Sequence, residues 1–148
     1  QLVQSYKFRN HRRLARVVAE LLGEPAASLV VPGTVIVPVP SGRRSVRRRG
    51  FAAAALIARL IASDLGLPLV AALRMRGGRT QKTLGYAARR ENAARALTVA
   101  RGPARRLTES VLLVDDVFTT GATADACAGV LLRNGVARVV VLTVTSEY

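Results

Sequence analysis

Apolar runs alternate with helical stripes along this chain. Val111, Leu112, Leu113 and Val114 form an unbroken run that suits a strand buried on both faces. Val35 to Val39 reads as the first strand, Leu67 to Leu73 as a second, and Arg138 to Thr145 as the last. The middle of that last strand is almost pure valine and leucine, as in a strand covered on both faces. Pro38 and Pro40 place the end of the first strand at an edge or outside the sheet, because proline has no donor for a ladder. Between the strands the period changes. Leu14, Val17, Val18, Leu21 and Leu22 recur at helical spacing over Arg12 to Leu22, with Gly23 as the stop and Pro25 beyond it. Phe51, Ala54, Ala55, Ala58, Ile61, Ala62 and Leu65 share one face of a helix over Phe51 to Leu65, closed by Gly66 and Pro68. Thr123 to Asn134 is a further helix, with Cys127, Val130 and Leu131 inward and Asn134-Gly135 at its C-cap.

One stretch fits neither period. Arg74 to Arg95 has no strand pattern in its first half and contains Gly77-Gly78. Its second half could be helical, but with a thin core face. An excursion of this length in a compact domain points to a functional loop. Leu97 to Val99 returns from it as a short strand, and Gly102-Pro103 makes a turn. Strands alternating with helices predict an α/β domain with a parallel sheet and right-handed crossovers. In such sheets ligands bind beyond the carboxyl ends of the strands. The loop after Pro40 and the residues after Val114 both fall there, although they are distant in sequence.

The chain has 148 residues, half of them hydrophobic, which fits one domain with a single core and argues against disorder. No apolar run is long enough for a membrane span, and the start, QLVQSYKF, is not a signal peptide. A cytoplasmic location is therefore the default expectation. The single cysteine, Cys127, reads as a small core residue and permits no internal disulfide. Charge changes the picture more. The net charge is +14, almost all from arginine, with one cluster at Arg43, Arg44, Arg47, Arg48 and Arg49 and another between Arg74 and Arg95. Such a surface attracts polyanions, either nucleic acid or a pyrophosphate-bearing substrate. Solvated loops in an arginine-rich chain explain many of these residues equally well.

The candidate chemistry lies in VLLVDDVFTTGAT, Val111 to Thr123. Asp115 and Asp116 follow the apolar run, and Thr119, Thr120, Gly121, Ala122 and Thr123 lead into the next helix. Backbone N–H groups of such a loop and the positive end of a helix favour a phosphate. The carboxylates suit ribose hydroxyls or metal-bound waters. Helix capping by Thr120 or Thr123 explains the loop without a ligand. It does not explain adjacent acids, which must be solvated or partnered.

This stretch resembles the phosphoribosyl-pyrophosphate (PRPP) motif of the type I phosphoribosyltransferases. Within that superfamily the chain is most similar to the ComF/GntX-like group. That likeness rests on YKF at Tyr6 to Phe8, PVPSGRR at Pro38 to Arg44, RRGF at Arg48 to Phe51, RRENA at Arg89 to Ala93 and the PRPP motif. The resemblance spans nearly the whole chain. It implies a type I phosphoribosyltransferase-like parallel sheet flanked by helices, with a flexible loop that closes over the substrate. It implies a Mg²⁺-dependent transfer of the 5-phosphoribosyl group from PRPP to a base or amine acceptor, with release of pyrophosphate. The 5′-phosphate would sit at Thr119 to Thr123 and the ribose at Asp115 and Asp116. The pyrophosphate would sit at Ser41, Gly42 and Arg43, and Gln81, Arg89 and Asn92 would belong to the closing loop. Magnesium would be held mainly by substrate oxygens and reach the two acids through water.

The likeness has departures. ComF-like chains commonly carry a Cys-rich metal knuckle, which has no counterpart in these 148 residues, and Ala52 and Ala53 stand where Asn-Gln usually follows RGF. Thr119 replaces the aspartate that acts on the base in the purine-salvage enzymes. The acceptor and the oligomeric state are left open, a dimer being compatible. Two classes of function follow: a phosphoribosyltransferase, or a non-catalytic PRPP- or nucleotide-binding protein that handles single-stranded or non-specific DNA during uptake.

Overall fold

A computed structural model describes residues 2–42, 46–47, 50–75, 96–118 and 121–146, with the side chains of 2–12, 117–118 and 145–146 excepted. Along the chain these residues form α1 (Leu2–Leu29), β1 (Val35–Pro38), α2 (Ala53–Leu65), β2 (Leu73–Met75), β3 (Leu97–Val99), α3 (Arg101–Ala104), β4 (Ser110–Phe118), α4 (Ala122–Arg133) and β5 (Arg138–Ser146). Strands β1, β4 and β5 make a parallel sheet in the order β1-β4-β5, and β2 and β3 make a separate antiparallel ribbon. The expected α/β class with a parallel sheet flanked by helices is the one observed.

The apolar run of β4 sits at the centre. Val111, Leu112, Leu113 and Val114 are all buried, and alternation divides them between two cores. Val111 and Leu113 join Val35, Val37, Val70, Cys127 and Leu131 under α4, while Leu112 and Val114 join Ile36, Ile57 and Ile61 under α1 and α2. Each such side chain contributes roughly 1.5–3 kcal/mol by leaving water.

The prolines of β1 act as the sequence suggests. Val39 N–H donates to Val114 O at 2.8 Å, so the odd residues of β1 face β4. The Ile36 N–H and C=O face the other way and bond Pro68 O and Val70 N–H. Pro38 shares that orientation, but the neighbouring segment has already left, so its missing donor is not needed. Leu67 to Leu73 is therefore not a full second strand. It makes one parallel bridge, Ile36 to Leu69, and then departs to form β2. Gly102-Pro103 lies in a single helical turn rather than a simple turn.

Helix α1 departs most from expectation. It does not stop at Gly23 but continues through Pro25 to Leu29. Pro25 and Leu21 both lie on the exposed face, where the carbonyl that Pro25 leaves unbonded can meet water. The buried stripe is Ala15, Ala19 and Ala26, supplemented by Leu22 and Leu29, and it runs across the proline without a break. Leu14, Val17 and Leu21, which periodicity assigns to the core, are 62%, 51% and 73% exposed. Small residues win because α1 packs on α2, whose own buried face is Ala54, Ile57, Ala58, Ile61 and Ala62. Alanine facing alanine lets two helices approach closely. An ion pair from Arg16 to Asp64 at 3.0 Å holds the two helices at their exposed margin.

One smaller difference concerns β5: among the described residues it is an edge strand, and Val141 is exposed, so it is not covered on both faces. Among the described residues no helix is long and apolar enough to cross a membrane.

The alanine stripe makes a direct prediction. Ala19→Leu should destabilise the fold by about 1–3 kcal/mol through overpacking, whereas Leu21→Ala should stay within roughly 0.5 kcal/mol of the parent. Urea denaturation distinguishes the two. A larger loss for Leu21→Ala would mean that the helix presents its other face.

Candidate functional site

The site arises from a mismatch of strand lengths. On one side, β4 pairs with β1 only as far as Val114 opposite Pro38. On the other, its pairing with β5 continues to Phe118 opposite Ser146. Asp115 and Asp116 are therefore not at the end of β4, as the apolar run suggests. They lie inside the strand, beyond the end of β1. Past Pro38, Val39 and Pro40 lead to Ser41 and Gly42, which are half-buried at the same end of the sheet. Val46 N–H donates to Gly42 O at 3.1 Å, which holds Val46 against Gly42.

The two acids differ. Asp115 is 7% exposed and accepts a hydrogen bond from Asp116 N–H on Oδ1 at 2.9 Å. Alternation puts it on the same face as Val111 and Leu113, toward α4. The Cys127 thiol, buried on α4, is pushed up to about 12 by its burial and, secondarily, by the negative charge of Asp115. Asp116 is half-buried and sent to the opposite face by the same alternation. It is the more accessible carboxylate of the pair.

Helix α4 begins at this end of the sheet. Its N-cap is Gly121, with φ 72° and ψ −9°, and no side chain caps the helix from that position. Capping by Thr123 is thus not what shapes the turn, since Thr123 lies inside the first helical turn, half-buried. The left-handed conformation at Gly121 is one that glycine tolerates and β-branched residues do not. Asp125, also in the first turn, was not anticipated; its backbone N–H donates to Gly121 O at 2.8 Å. A carboxylate there complements the helix dipole but opposes a bound anion.

The fold thus gathers Asp115, Asp116, Ser41, Gly42, Gly121, Ala122 and Thr123 at the carboxyl end of the sheet. Arg43, Thr119, Thr120, Gln81, Arg89 and Asn92 lie outside the described residues, as does the expected closing loop. One neighbour was missed from sequence. Met75, at the end of β2, brings its sulfur to 3.8 Å from where a Cβ on Gly42 would stand. The ribbon β2–β3 therefore touches the Ser41-Gly42 turn. No group of three or more His, Cys, Asp or Glu able to cage a metal occurs among the described residues.

No protein-family model matches the chain. The chain is similar to competence protein F of Haemophilus influenzae, with 31% identity over 91% of this chain and 62% of that protein. It is also similar to the DNA utilization protein YhgH of Salmonella typhi and of Salmonella typhimurium, at 34% identity over 93% of this chain and 63% of each relative. The chain thus spans a little over three-fifths of the length of these relatives. Among solved structures it is similar in fold to TT1426 from Thermus thermophilus. The TM-score is 0.50 at 20% identity, covering 87% of this chain and 72% of that one.

Two predictions follow from the geometry. Cys127 should resist thiol reagents at neutral pH in the folded protein. Its raised pKa also means that the folded state keeps a proton the unfolded chain loses. That contribution is intact below about pH 9 and is lost as pH rises toward about 12. The parent should lose up to about 1.4 kcal/mol per pH unit across this window relative to Cys127→Ala, as read from urea midpoints. Parallel pH profiles for the two proteins would refute the buried thiol. Gly121→Val should cost about 1–3 kcal/mol from backbone strain alone. It should also abolish protection of the domain by inorganic phosphate in thermal melts, and undiminished protection would remove the loop as a phosphate site.

Proposed function

We propose that the chain is a ComF-like protein that binds PRPP and transfers its 5-phosphoribosyl group, with Mg²⁺, to a base or amine acceptor that is still to be identified; its similarity to competence protein F and to the YhgH proteins supports the family part of this reading. The observation that carries this reading is the overhang of β4 beyond β1. It brings a carboxylate pair beside two turns suited to phosphate groups, one at Ser41-Gly42 and one at Gly121 to Thr123. In the proposed reaction the bond between the ribose anomeric carbon and the pyrophosphate oxygen breaks, and the acceptor nitrogen bonds to that carbon. The protein's tasks are to hold the 5′-phosphate, fix the ribose and accommodate the departing anion.

Each task has a candidate. Gly121 permits close approach of the backbone, and the first-turn N–H groups of α4 face the 5′-phosphate. Asp116, the accessible acid, accepts hydrogen bonds from ribose hydroxyls. Asp115 acts through its bond to the Asp116 N–H, holding the strand in place at that point. Ser41 and Gly42 receive the pyrophosphate with backbone donors, and Arg43 follows them in sequence. When bound, magnesium would neutralise the leaving group. The donor set fits an ion held mostly by substrate oxygens, because the described residues offer the acid pair and no protein cage.

A second reading has its own support. The curated relatives are named for competence and for DNA utilization, and the chain carries a net charge of +14. A DNA-handling protein that keeps PRPP or nucleotide binding as a signal would use the same site without transfer.

The test is a screen of bases and amines with Mg²⁺ and PRPP, reading pyrophosphate release, together with calorimetry of PRPP binding. Asp115→Asn with Asp116→Asn should weaken PRPP binding by about a hundredfold or more, as expected for lost charge-assisted hydrogen bonds of roughly 1.5–3 kcal/mol each, with the circular dichroism unchanged. Unchanged PRPP affinity in that double variant would overturn the site. PRPP binding without release for any acceptor would favour the second reading.

A further inference from the structure

We infer that the amino end of the sheet, opposite the candidate phosphoribosyl site, is a binding face for the phosphodiester backbone of single-stranded nucleic acid. The inference rests on the DNA-handling reading and assigns it a location. Three separate connections converge at that end: the segment from α1 into β1, the segment from α3 into β4, and the segment from α4 into β5. They enclose an open recess of about 350 Å³ whose lining includes Gly33, Thr108, Glu109, Ser110 and Arg138. Main-chain bonds fix the recess, since Ala137 and Arg138 N–H both donate to Glu109 O at 2.8 Å. Thr108 Oγ1 donates to Gly33 O at 2.7 Å.

Arg138 and Glu109 are the charged residues of the lining, and two more arginines precede Thr108 in the chain. Arg138 is held in place by bonds from one guanidinium nitrogen, Nη1, to Leu29 O at 3.0 Å and Ser110 Oγ at 3.4 Å, while the residue as a whole stays exposed. Arg105 and Arg106 stand just before the lining residue Thr108, both exposed, and neither has an ion-pair partner among the described residues. Glu109 is the one acid in the lining. Guanidinium groups match phosphate oxygens in geometry as well as in charge. The recess is near the small end of the range for small-molecule pockets, roughly 300–1,000 Å³, which admits one nucleotide of a strand and not a duplex. The three connections contain no aromatic residue, so the contact is ionic rather than stacked and carries no base preference.

This face is separate from the carboxylate site. Ser110 and Asp115 are five positions apart on β4, roughly 17 Å at the usual strand rise. That exceeds the screening length of about 8 Å at physiological salt. Substitutions at one end therefore leave the field at the other nearly unchanged.

The experiment measures binding of a labelled oligothymidylate by fluorescence anisotropy between about 50 and 200 mM salt, with PRPP calorimetry in parallel. Arg105→Ala with Arg106→Ala should lower the log–log salt slope by about 1.4, the loss of two phosphate contacts on a single strand, with PRPP affinity unchanged. Arg13→Ala with Arg59→Ala removes the same charge from exposed positions on α1 and α2 and should change the slope by much less. Equal effects of the two pairs would reduce the inference to net charge and overturn it. An unchanged slope in Arg105→Ala with Arg106→Ala would overturn the location alone, leaving DNA handling in place. So would loss of binding to phosphatidylglycerol vesicles with DNA binding intact, which would make the face a membrane contact. No DNA binding by the parent chain at 50 mM salt would remove the location and the DNA-handling reading together.

Discussion

Exclusion of water from both faces of β4 is the constraint on which the rest depends. A strand with four consecutive buried apolar residues needs a layer on each side, and its backbone needs a partner strand along each edge. The layers are α4 on one face and α1 with α2 on the other. The edge partners are β1 and β5, and both are parallel because each is reached through a helical crossover. This arrangement also explains why α4 starts where β4 finishes, and so why Gly121 and the acid pair lie at one end.

The overhang of β4 then turns a packing arrangement into a chemical one. While β1 accompanies β4, alternate residues fill two hydrophobic cores. Where β1 leaves, alternation continues but the surroundings become polar, and adjacent acids take up positions on opposite faces. One carboxylate is buried beside α4 and stiffens the strand through the next residue's N–H; the other stays accessible. A bare DD in sequence looks like two equal ligands, whereas the fold gives them unequal surroundings.

Much of this was legible in the sequence because it depends on local signals. The apolar run of β4, the Gly66 stop of α2 with φ 64°, and the Asn134-Gly135 end of α4 are each written in a few adjacent residues. Convergence of the loop after Pro40 with the residues after Val114 followed from parallel topology alone. The face of α1 was not legible. A reading that follows bulk selects Leu14, Val17 and Leu21, but the close approach of α1 to α2 selects alanine, and that approach is a property of the pair. The helix also outlasted Gly23 and Pro25 because packing of Ala26 and Leu29 outweighed two poor local propensities. In the site, the unequal exposure of Asp115 and Asp116 was hidden because it depends on where β1 stops. The contact of Met75 with Gly42 was hidden because it joins a ribbon outside the parallel sheet to a turn that leaves it.

The connections at the amino end of the sheet carry charge of their own. Among the described residues, Arg105, Arg106 and Arg138 stand where β4 and β5 begin, exposed to solvent. Parallel strands make this placement simple. Every crossover returns the chain to the amino end of the sheet before the next strand, so each connection offers an exposed position there that does not touch the carboxyl end. The acid pair thus stands at one end of the sheet, while Arg105, Arg106 and Arg138 stand at the other.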